Sequence, residues 1–358
     1  MDSGDNFATV SGAPRGCLNV VCALNLTAAR EAKKRTAGMA HGIGIIGLGV
    51  MGERMLRNMG KHPAFAVAAA WDPASAAGEK LREIAPSARL ARDAADLIAD
   101  ERVGCVYIAA PPGFHLPYAE AAFSAGKAVF CEKPLAIEIE VARAVVARVE
   151  RDRRRAAVNF PFAAAPAVRA ILAGMKSGEI GAAQRLDIEV AFARWPRAWQ
   201  RPAAWLGRRE DGGFVREVLS HFIFLTQRLL GPVAIDECRV DYPEDGVSAE
   251  SAVEARLSAG GIPITLRGHV GGAIEDMNRW VLTAANGAFE LHDWYSLKRR
   301  INGGWLDVDF GEGSVRERSY MAQLDALDAM LAGKPHALPS FREGLAVQEC
   351  IEAMLHGP

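Results

Sequence analysis

Short apolar strands alternate with helices in the first half of this chain, and this alternation restricts the fold more than any other feature of the sequence. The strand-like segments 42–47, 65–71 and 128–131 are almost continuously apolar. Amphipathic helical patterns separate such segments, for example at 138–151. A strand that is apolar on both faces is typical of a parallel sheet covered by helices on both sides. The sequence therefore predicts a doubly wound parallel sheet up to about residue 160.

The pattern changes after that point. Several alternating segments follow one another without room for crossover helices, at 252–257, 262–270, 279–283 and 305–310. Consecutive strands of this kind favour an open, mostly antiparallel sheet, here in a second α/β domain. We therefore expect four parts along the chain: an extension without regular pattern at 1–40, the parallel-sheet domain at 41–160, the second domain at 161–340 and a C-terminal helix at 341–358.

The extension at 1–40 has a basic run but no clear period, so we expect it to be poorly ordered or to precede a true start at Met39. A signal peptide is the weaker alternative, since acidic residues rather than basic ones precede its mildly apolar segment.

The bulk composition excludes several classes of function. The net charge of −1 provides no basic field for nucleic acid or an anionic membrane. No apolar run reaches the roughly 18 residues of a transmembrane helix. The histidines and the six cysteines show no metal-ligand spacing, and the cysteines are typical of buried residues in a reducing compartment. We expect a cytoplasmic protein without a metal, nucleic-acid or membrane partner.

A glycine-rich turn lies between the first strand and the following helix. Gly47, Gly49 and Gly52 have the G-x-G-x-x-G spacing that lets a backbone approach a pyrophosphate at a helix N-terminus. Asp72 stands twenty residues later at the end of the next strand, where a carboxylate accepts hydrogen bonds from an adenosine ribose. An ordinary glycine-rich turn is the alternative. The predicted cofactor-binding residues here are Gly47, Gly49, Val50, Met51, Gly52 and Asp72.

Two further segments end strands at the edge where open α/β sheets bind ligands. Pro111 begins a breaker-rich turn that leads to His115, which is either a surface histidine or a residue beside the cofactor. Glu132, Lys133 and Pro134 follow another strand, and the proline could hold a cis bond. Lys133 is either an acid–base or substrate-binding group in the crevice or the partner of Glu132 in an ion pair.

Glu217 and His221 lie four residues apart on a very apolar helical segment and are expected to share one face. A carboxylate one turn from a histidine can orient the ring and stabilise its protonated form, which suits a proton relay. A surface pair is the alternative.

Trp195 and Trp199 lie in a loop that also carries Arg194, Arg197 and Arg201. Flat aromatic faces and guanidinium groups suit sugars or carboxylated ligands. A core or interface loop is the alternative.

Taken together, these segments resemble the Gfo/Idh/MocA oxidoreductase family, which includes glucose–fructose oxidoreductase and inositol dehydrogenase. The resemblance runs through most of the chain after the extension and is most specific at the Glu-Lys-Pro signature. The matching segments are 44–52, 107–115, 126–134, 177–181 and 212–221.

The resemblance implies a Rossmann domain followed by an α/β domain with an open antiparallel sheet, often used to form homo-oligomers, here a dimer or tetramer. It implies hydride transfer between NAD(P) and a sugar, cyclitol or diol. Lys133 matches the catalytic lysine, His221 the catalytic histidine and Glu217 the acidic member. Pro111, His115, Glu132 and Lys133 match segments beside the nicotinamide.

Three features depart from the family's usual pattern: Glu217 replaces Asp, Phe224 stands three residues after the histidine where Asp is common, and Phe162-Ala163 replaces an aromatic-Arg pair. These changes indicate a more apolar pocket than that of a sugar enzyme, with Phe162, Trp195 and Trp199 as candidate substrate contacts.

We expect NAD to be preferred over NADP, because Asp72 has no adjacent arginine for a 2′-phosphate. Two alternatives stay open: a glycosidase that uses NAD as a transient oxidant, and a non-catalytic nucleotide sensor.

Overall fold

The computed structural model describes residues 40–201, 203–301 and 303–357. The predicted extension lies outside these residues except for Ala40. Two sheets organise the described chain, and they belong to one compact unit.

The first sheet is parallel and has the strand order β3-β2-β1-β4-β5-β6. The order reverses on either side of β1, so a crevice opens at the carboxyl ends of β1 and β4, as in dinucleotide-binding sheets. The strands are β1 (His41–Ile46), β2 (Phe65–Trp71), β3 (Arg89–Leu90), β4 (Cys105–Ile108), β5 (Ala128–Cys131) and β6 (Ala156–Val158).

Helices connect these strands because each intervening segment has an apolar stripe to bury. Leu97, Ala119 and Val146 are examples of side chains buried on these stripes. The helices are α1 (Val50–Lys61), α2 (Ala77–Ile84), α3 (Ala94–Ala99), α4 (His115–Ser124) and α5 (Ile139–Arg151).

The second sheet has the order β14-β13-β12-β11-β7-β10-β9-β8. Every neighbouring pair is antiparallel except β7 and β10, which pair in parallel. The strands are β7 (Ala183–Phe192), β8 (Val233–Asp241), β9 (Ala252–Ala259), β10 (Ile262–Val270), β11 (Met277–Ala284), β12 (Gly287–His292), β13 (Ser296–Ile301) and β14 (Trp305–Asp307). The predicted fold class, a doubly wound parallel sheet plus a mostly antiparallel one, is confirmed.

The remaining helices pack against the two sheets and their helices. They are α6 (Pro166–Ser177), α7 (Ser220–Leu230), α8 (Val315–Leu331) and α9 (Phe341–His356), and a π-helical turn (Val215–Leu219) leads directly into α7. Ser314 accepts a hydrogen bond from the Glu317 amide and so caps the N-terminus of α8.

Two apolar clusters form the core. One extends from the first sheet to the inner face of the second and includes Ile46, Val106, Leu186 and Trp280. The other lies on the opposite face of the first sheet, where Leu324 of α8 joins residues of β1 and α1. The C-terminal part of the chain therefore covers one face of the first sheet. The domain boundaries at 160 and 340 stay a prediction.

Candidate active site

The glycine-rich turn closes tightly on itself. Gly47 has φ +94°, and a Cβ there would lie 2.5 Å from the Ala109 carbonyl oxygen. A Cβ on Gly52 would overlap the Gly47 carbonyl oxygen. Only glycine fits at these two positions.

Gly49 is different because the place of its missing Cβ faces open space. It precedes α1, and no side chain caps the helix N-terminus there. The first amides of the helix, including those of Val50 and Met51, lack intrahelical partners, as at any helix start. An open backbone surface at a helix N-terminus fits the pyrophosphate of a dinucleotide.

Asp72 fixes this turn. Its Oδ2 accepts a hydrogen bond from the Leu48 amide at 2.7 Å, and its Oδ1 accepts one from the Ala74 amide at 2.8 Å. Lys80 donates to the Leu48 carbonyl oxygen at 2.9 Å and pairs with Glu53 at 3.0 Å. The half-buried carboxylate of Asp72 keeps lone pairs for a ribose hydroxyl, while Lys80 is already paired.

His115 is not a surface histidine, since its exposed fraction is 1%. Its Nδ1 lies 2.6 Å from the Pro134 carbonyl oxygen and its Nε2 lies 2.7 Å from that of Ala110. Burial lowers the pKa of the ring. His115 therefore connects the end of β4 with the loop after β5 and positions that loop, in which the Lys133–Pro134 peptide bond is cis.

Glu132 turns away from Lys133. Its carboxyl group accepts hydrogen bonds from the Tyr107 hydroxyl and from Asn159 Nδ2, the latter at 2.6 Å. Burial raises the pKa of Glu132. The ion pair of Glu132 with Lys133 that we considered as an alternative is therefore absent among the hydrogen bonds of the described residues.

Lys133 instead pairs with Glu217 across the two parts of the structure. Its Nζ donates to the Glu217 carboxylate and, at 2.9 Å, to the Glu217 carbonyl oxygen. The Lys133 side chain is only 7% exposed and that of Glu217 is 25% exposed. A strand end of the first sheet and the π-helical turn thus meet at one ion pair.

The sequence analysis expected Glu217 to orient the His221 ring, but its carboxylate is bound to Lys133 instead. Within the described chain, the Glu217 carboxylate bonds to Lys133, and no bond joins it to His221. Glu217 lies in the π-helical turn, whereas His221 lies in α7. The lysine, which the sequence could not place, takes the carboxylate.

His221 lies among aromatic rings. Its ring centroid is 5.6 Å from that of Phe160, 6.0 Å from Phe162 and 5.7 Å from Trp294. The predicted substrate contact Phe162 therefore lies beside the histidine.

Electrostatic surroundings keep the His221 ring neutral. Burial lowers the pKa of His221 well below its ordinary value, and the positive charges of Lys133 and Arg197 lower it further. A neutral imidazole is available to accept a proton.

Trp294 is a site residue that the sequence analysis missed. It follows Asp293 in the turn between β12 and β13. Asp293 has φ +46° and Trp294 has φ +71°. The Trp294 amide donates to Asn278 Oδ1 at 2.9 Å. Left-handed backbone at two consecutive residues is the geometry of a tight hairpin turn, and it brings Trp294 to the site in a way that only the structure shows.

The tryptophan and arginine loop reaches the same place. Trp195 Nε1 donates to the Leu206 carbonyl oxygen at 2.8 Å, which fixes the loop. Trp199 is 45% exposed. Arg197 lies between them, with its guanidinium carbon 4.8 Å from the Trp199 ring centroid and 5.6 Å from that of Trp195.

The comparison with protein families matches residues 41–160 to an oxidoreductase family with an NAD-binding Rossmann fold, Gfo/Idh/MocA. Residues 41–160 therefore match the nucleotide-binding domain of that family. The inositol 2-dehydrogenase of Pseudomonas syringae pv. syringae is 34% identical over 146 residues, which are 40% of this chain and 44% of the relative. The D-apiose dehydrogenase of Paraburkholderia graminis is 38% identical over 93 residues, which are 26% of this chain and 25% of the relative. The chain thus spans less than half of the length of these relatives.

Solved structures share the fold over a longer stretch. An oxidoreductase of Agrobacterium radiobacter in complex with NAD+, L-tartaric acid and magnesium has a TM-score of 0.76 at 19% identity, covering 89% of this chain and 96% of that one. The UDP-N-acetylglucosamine 3-dehydrogenase of Acidithiobacillus ferrooxidans has a TM-score of 0.72 at 18% identity, covering 89% and 98%. These likenesses extend the fold assignment to both sheets.

The described residues contain neither a membrane-spanning helix nor a metal-binding cluster. None of their helices has the length and apolar character needed to cross a membrane. No group of three or more histidine, cysteine or carboxylate side chains among them is arranged to hold a metal ion.

Proposed function

We propose that this chain is an NAD(P)-dependent dehydrogenase or reductase that acts on a CH–OH or C=O carbon of a small hydroxylated substrate. The observation that carries the proposal is the Lys133–Glu217 pair beside His221: a strand end of the nucleotide-binding sheet meets the π-helical turn there. The names of the relatives support a sugar, cyclitol or diol as the substrate class.

The turn around Gly49, the start of α1 and Asp72 fit a dinucleotide, and they would hold its pyrophosphate and adenosine ribose. The nicotinamide supplies hydride acceptance or donation when it is bound. Lys80 near the turn is occupied by Glu53 and a carbonyl oxygen, and Asp72 repels a 2′-phosphate. We therefore expect tighter binding of NADH than of NADPH in calorimetric titrations.

Three side chains have separate roles in the proposed proton transfer. His221 is neutral and can accept the hydroxyl proton of a carbinol. Lys133 donates hydrogen bonds and can stabilise the oxygen on which negative charge develops. Glu217 positions Lys133, since its carboxylate and its carbonyl oxygen both bind Nζ.

Substitutions at the two central residues test this assignment. A panel of cyclitols, aldoses and aldonates with NAD, followed by nicotinamide absorbance, identifies a substrate. His221→Ala and Lys133→Met should then each lower single-turnover hydride transfer by ~10²-fold or more. NADH affinity should barely change in His221→Ala, because the ring lies among Phe160, Phe162 and Trp294.

Glu217→Gln should lose less than either variant, because an amide oxygen can still accept from Lys133. Unchanged hydride transfer in His221→Ala would place the base elsewhere. Turnover of a glycoside without net change in nicotinamide absorbance would favour the glycosidase. We also propose that the protein is cytoplasmic and forms a homo-oligomer, either a dimer or a tetramer. Light scattering measures the oligomeric state.

A further inference from the structure

Arg197 is held by aromatic rings rather than by carboxylates. Its guanidinium carbon lies 4.8 Å from the ring centroid of Trp199, 5.1 Å from Phe192 and 5.6 Å from Trp294. Its Nε donates to Gln200 Oε1 at 2.9 Å. Stacking of this kind orients the planar guanidinium and leaves the edge with its other donors available.

The acidic side chains near Arg197 are engaged elsewhere. Glu217 binds Lys133, and Asp276 accepts a hydrogen bond from the Ala193 amide at 3.0 Å. No hydrogen bond or ion pair joins Arg197 to a carboxylate in the described parts of the chain. A half-buried guanidinium without an anion has an unmet electrostatic requirement.

A second guanidinium lies against the same indole. Arg54 on α1 has its guanidinium carbon 5.4 Å from the Trp199 ring centroid. Its described hydrogen bonds go to the Tyr320 hydroxyl at 3.4 Å and the Met51 sulfur at 3.7 Å, not to a carboxylate. The two positive charges repel each other, and an anion bound between them would offset this repulsion.

This positive region adjoins the proposed catalytic residues. Trp294 contacts both the Arg197 guanidinium and the His221 ring, the latter at 5.7 Å between centroids. The positive charge of Arg197 also helps to lower the pKa of His221. A small molecule whose carbinol carbon lies at His221 could therefore place an anionic group of its own at Arg197.

We propose that Arg197, assisted by Arg54, binds a carboxylate of the substrate, so that the substrate is a hydroxy acid or sugar acid rather than a neutral polyol. The proposal rests on the proposed function for its reaction and names the substrate class of that site. A paired guanidinium–carboxylate contact gives both affinity and orientation. The carboxylate would hold the neighbouring carbinol carbon at His221 and Lys133.

Matched acids and alcohols test the proposal by binding, independently of turnover. Calorimetry of the NADH-loaded protein compares L-tartrate with threitol and D-gluconate with D-glucitol, since each pair shares a carbon skeleton. We expect at least one acid to bind more tightly than its alcohol. Arg197→Gln should lower the affinity for that acid by on the order of 10- to 100-fold, the usual effect of losing a hydrogen bond to a charged group.

Three controls separate this effect from unfolding and from cofactor binding. Arg201→Gln, at an exposed arginine of the same loop, should leave acid affinity unchanged. Arg197→Lys should retain part of the preference for the acid, because it keeps the charge. Thermal melting of each variant shows whether it folds, and NADH affinity should stay within about twofold of the parent.

Alcohols that bind as tightly as their acids would overturn the proposal. So would an Arg197→Gln variant that loses NADH affinity rather than acid affinity, since the guanidinium would then serve a cofactor phosphate. Acid binding that depends on Arg197 without any hydride transfer would support this site while refuting the proposed reaction.

Discussion

His221 illustrates how a single side chain acquires its chemistry from its neighbours. The same imidazole on an exposed α-helix would titrate near its ordinary value, whereas burial and the charges of Lys133 and Arg197 disfavour its protonated form here. The sequence analysis named the residue as a candidate but expected Glu217 to stabilise the charged form. The opposite electrostatic effect follows from cations that come from other elements.

This environment predicts the pH dependence of the reaction. Because the base must be neutral to accept a proton and its pKa is lowered, the acid limb of kcat/KM should lie below pH 6.5, the ordinary value for histidine. Steady-state rates across the acid range measure it. Arg197→Gln removes one nearby cation and should move the limb to higher pH. An acid limb at or above the ordinary histidine value in the parent would contradict this electrostatic account.

At the scale of elements, the sequence predicted most strands and helices because their apolar periods are local. The exceptions lie where that apolar period is weak or absent. β12 and β13 were not predicted as separate strands; their ladder carries the charged residues Glu290, Lys298 and Arg299. The π-helical turn escaped prediction because the segment around it is apolar on nearly all sides and so shows no period to disturb.

A buried carboxyl group at the start of that turn supports its shape. Glu250 Oε1 accepts a hydrogen bond from the Val215 amide at 2.6 Å, while Oε2 is buried without a partner. A Cβ on Gly213, which has φ +102°, would overlap this carboxyl group. Burial raises the pKa of Glu250 to about 7, despite the nearby charge of Arg216.

The raised pKa of Glu250 predicts how stability depends on pH. Between the unfolded value of 4.5 and about 7 the folded state binds more protons, so the contribution of Glu250 to the free energy of unfolding falls as pH rises. Glu250→Gln removes this titration. The variant should therefore gain stability relative to the parent from about pH 5 to about pH 8, by at most about 3 kcal/mol. Urea unfolding at several pH values measures the difference.

Glu254→Gln is the control for this series, because Glu254 is an exposed carboxylate on β9. It should leave the pH dependence of unfolding unchanged. If Glu250→Gln showed the same pH dependence as the parent, Glu250 would titrate normally in the folded protein.

At the scale of the whole molecule, the candidate site exists only because distant segments meet. The sequence indicated the glycine turn, Lys133 and His221 individually, since each lies in a recognisable local pattern. It could not show that Lys133 would meet Glu217, or that Trp294 and Arg197 would lie beside His221, because these contacts depend on how the two sheets pack. Asp72 lies at the glycine turn and binds its backbone, and its contact with a ribose stays a prediction.

The Lys133–Glu217 pair should couple the two parts of the molecule energetically. Lys133 follows β5 of the first sheet, Glu217 precedes α7, and the lysine is almost fully buried. Removing one partner leaves a charge poorly solvated, so Lys133→Met and Glu217→Gln should show a coupling energy of about 1–3 kcal/mol in a double-mutant cycle of denaturant unfolding. Arg143 and Glu349 provide the matched control, since they join α5 to α9 in an exposed pair at 2.6 Å. That cycle should give less than about 1 kcal/mol. Equal coupling in the two cycles would mean that the buried pair serves the site chemistry without holding the two parts together.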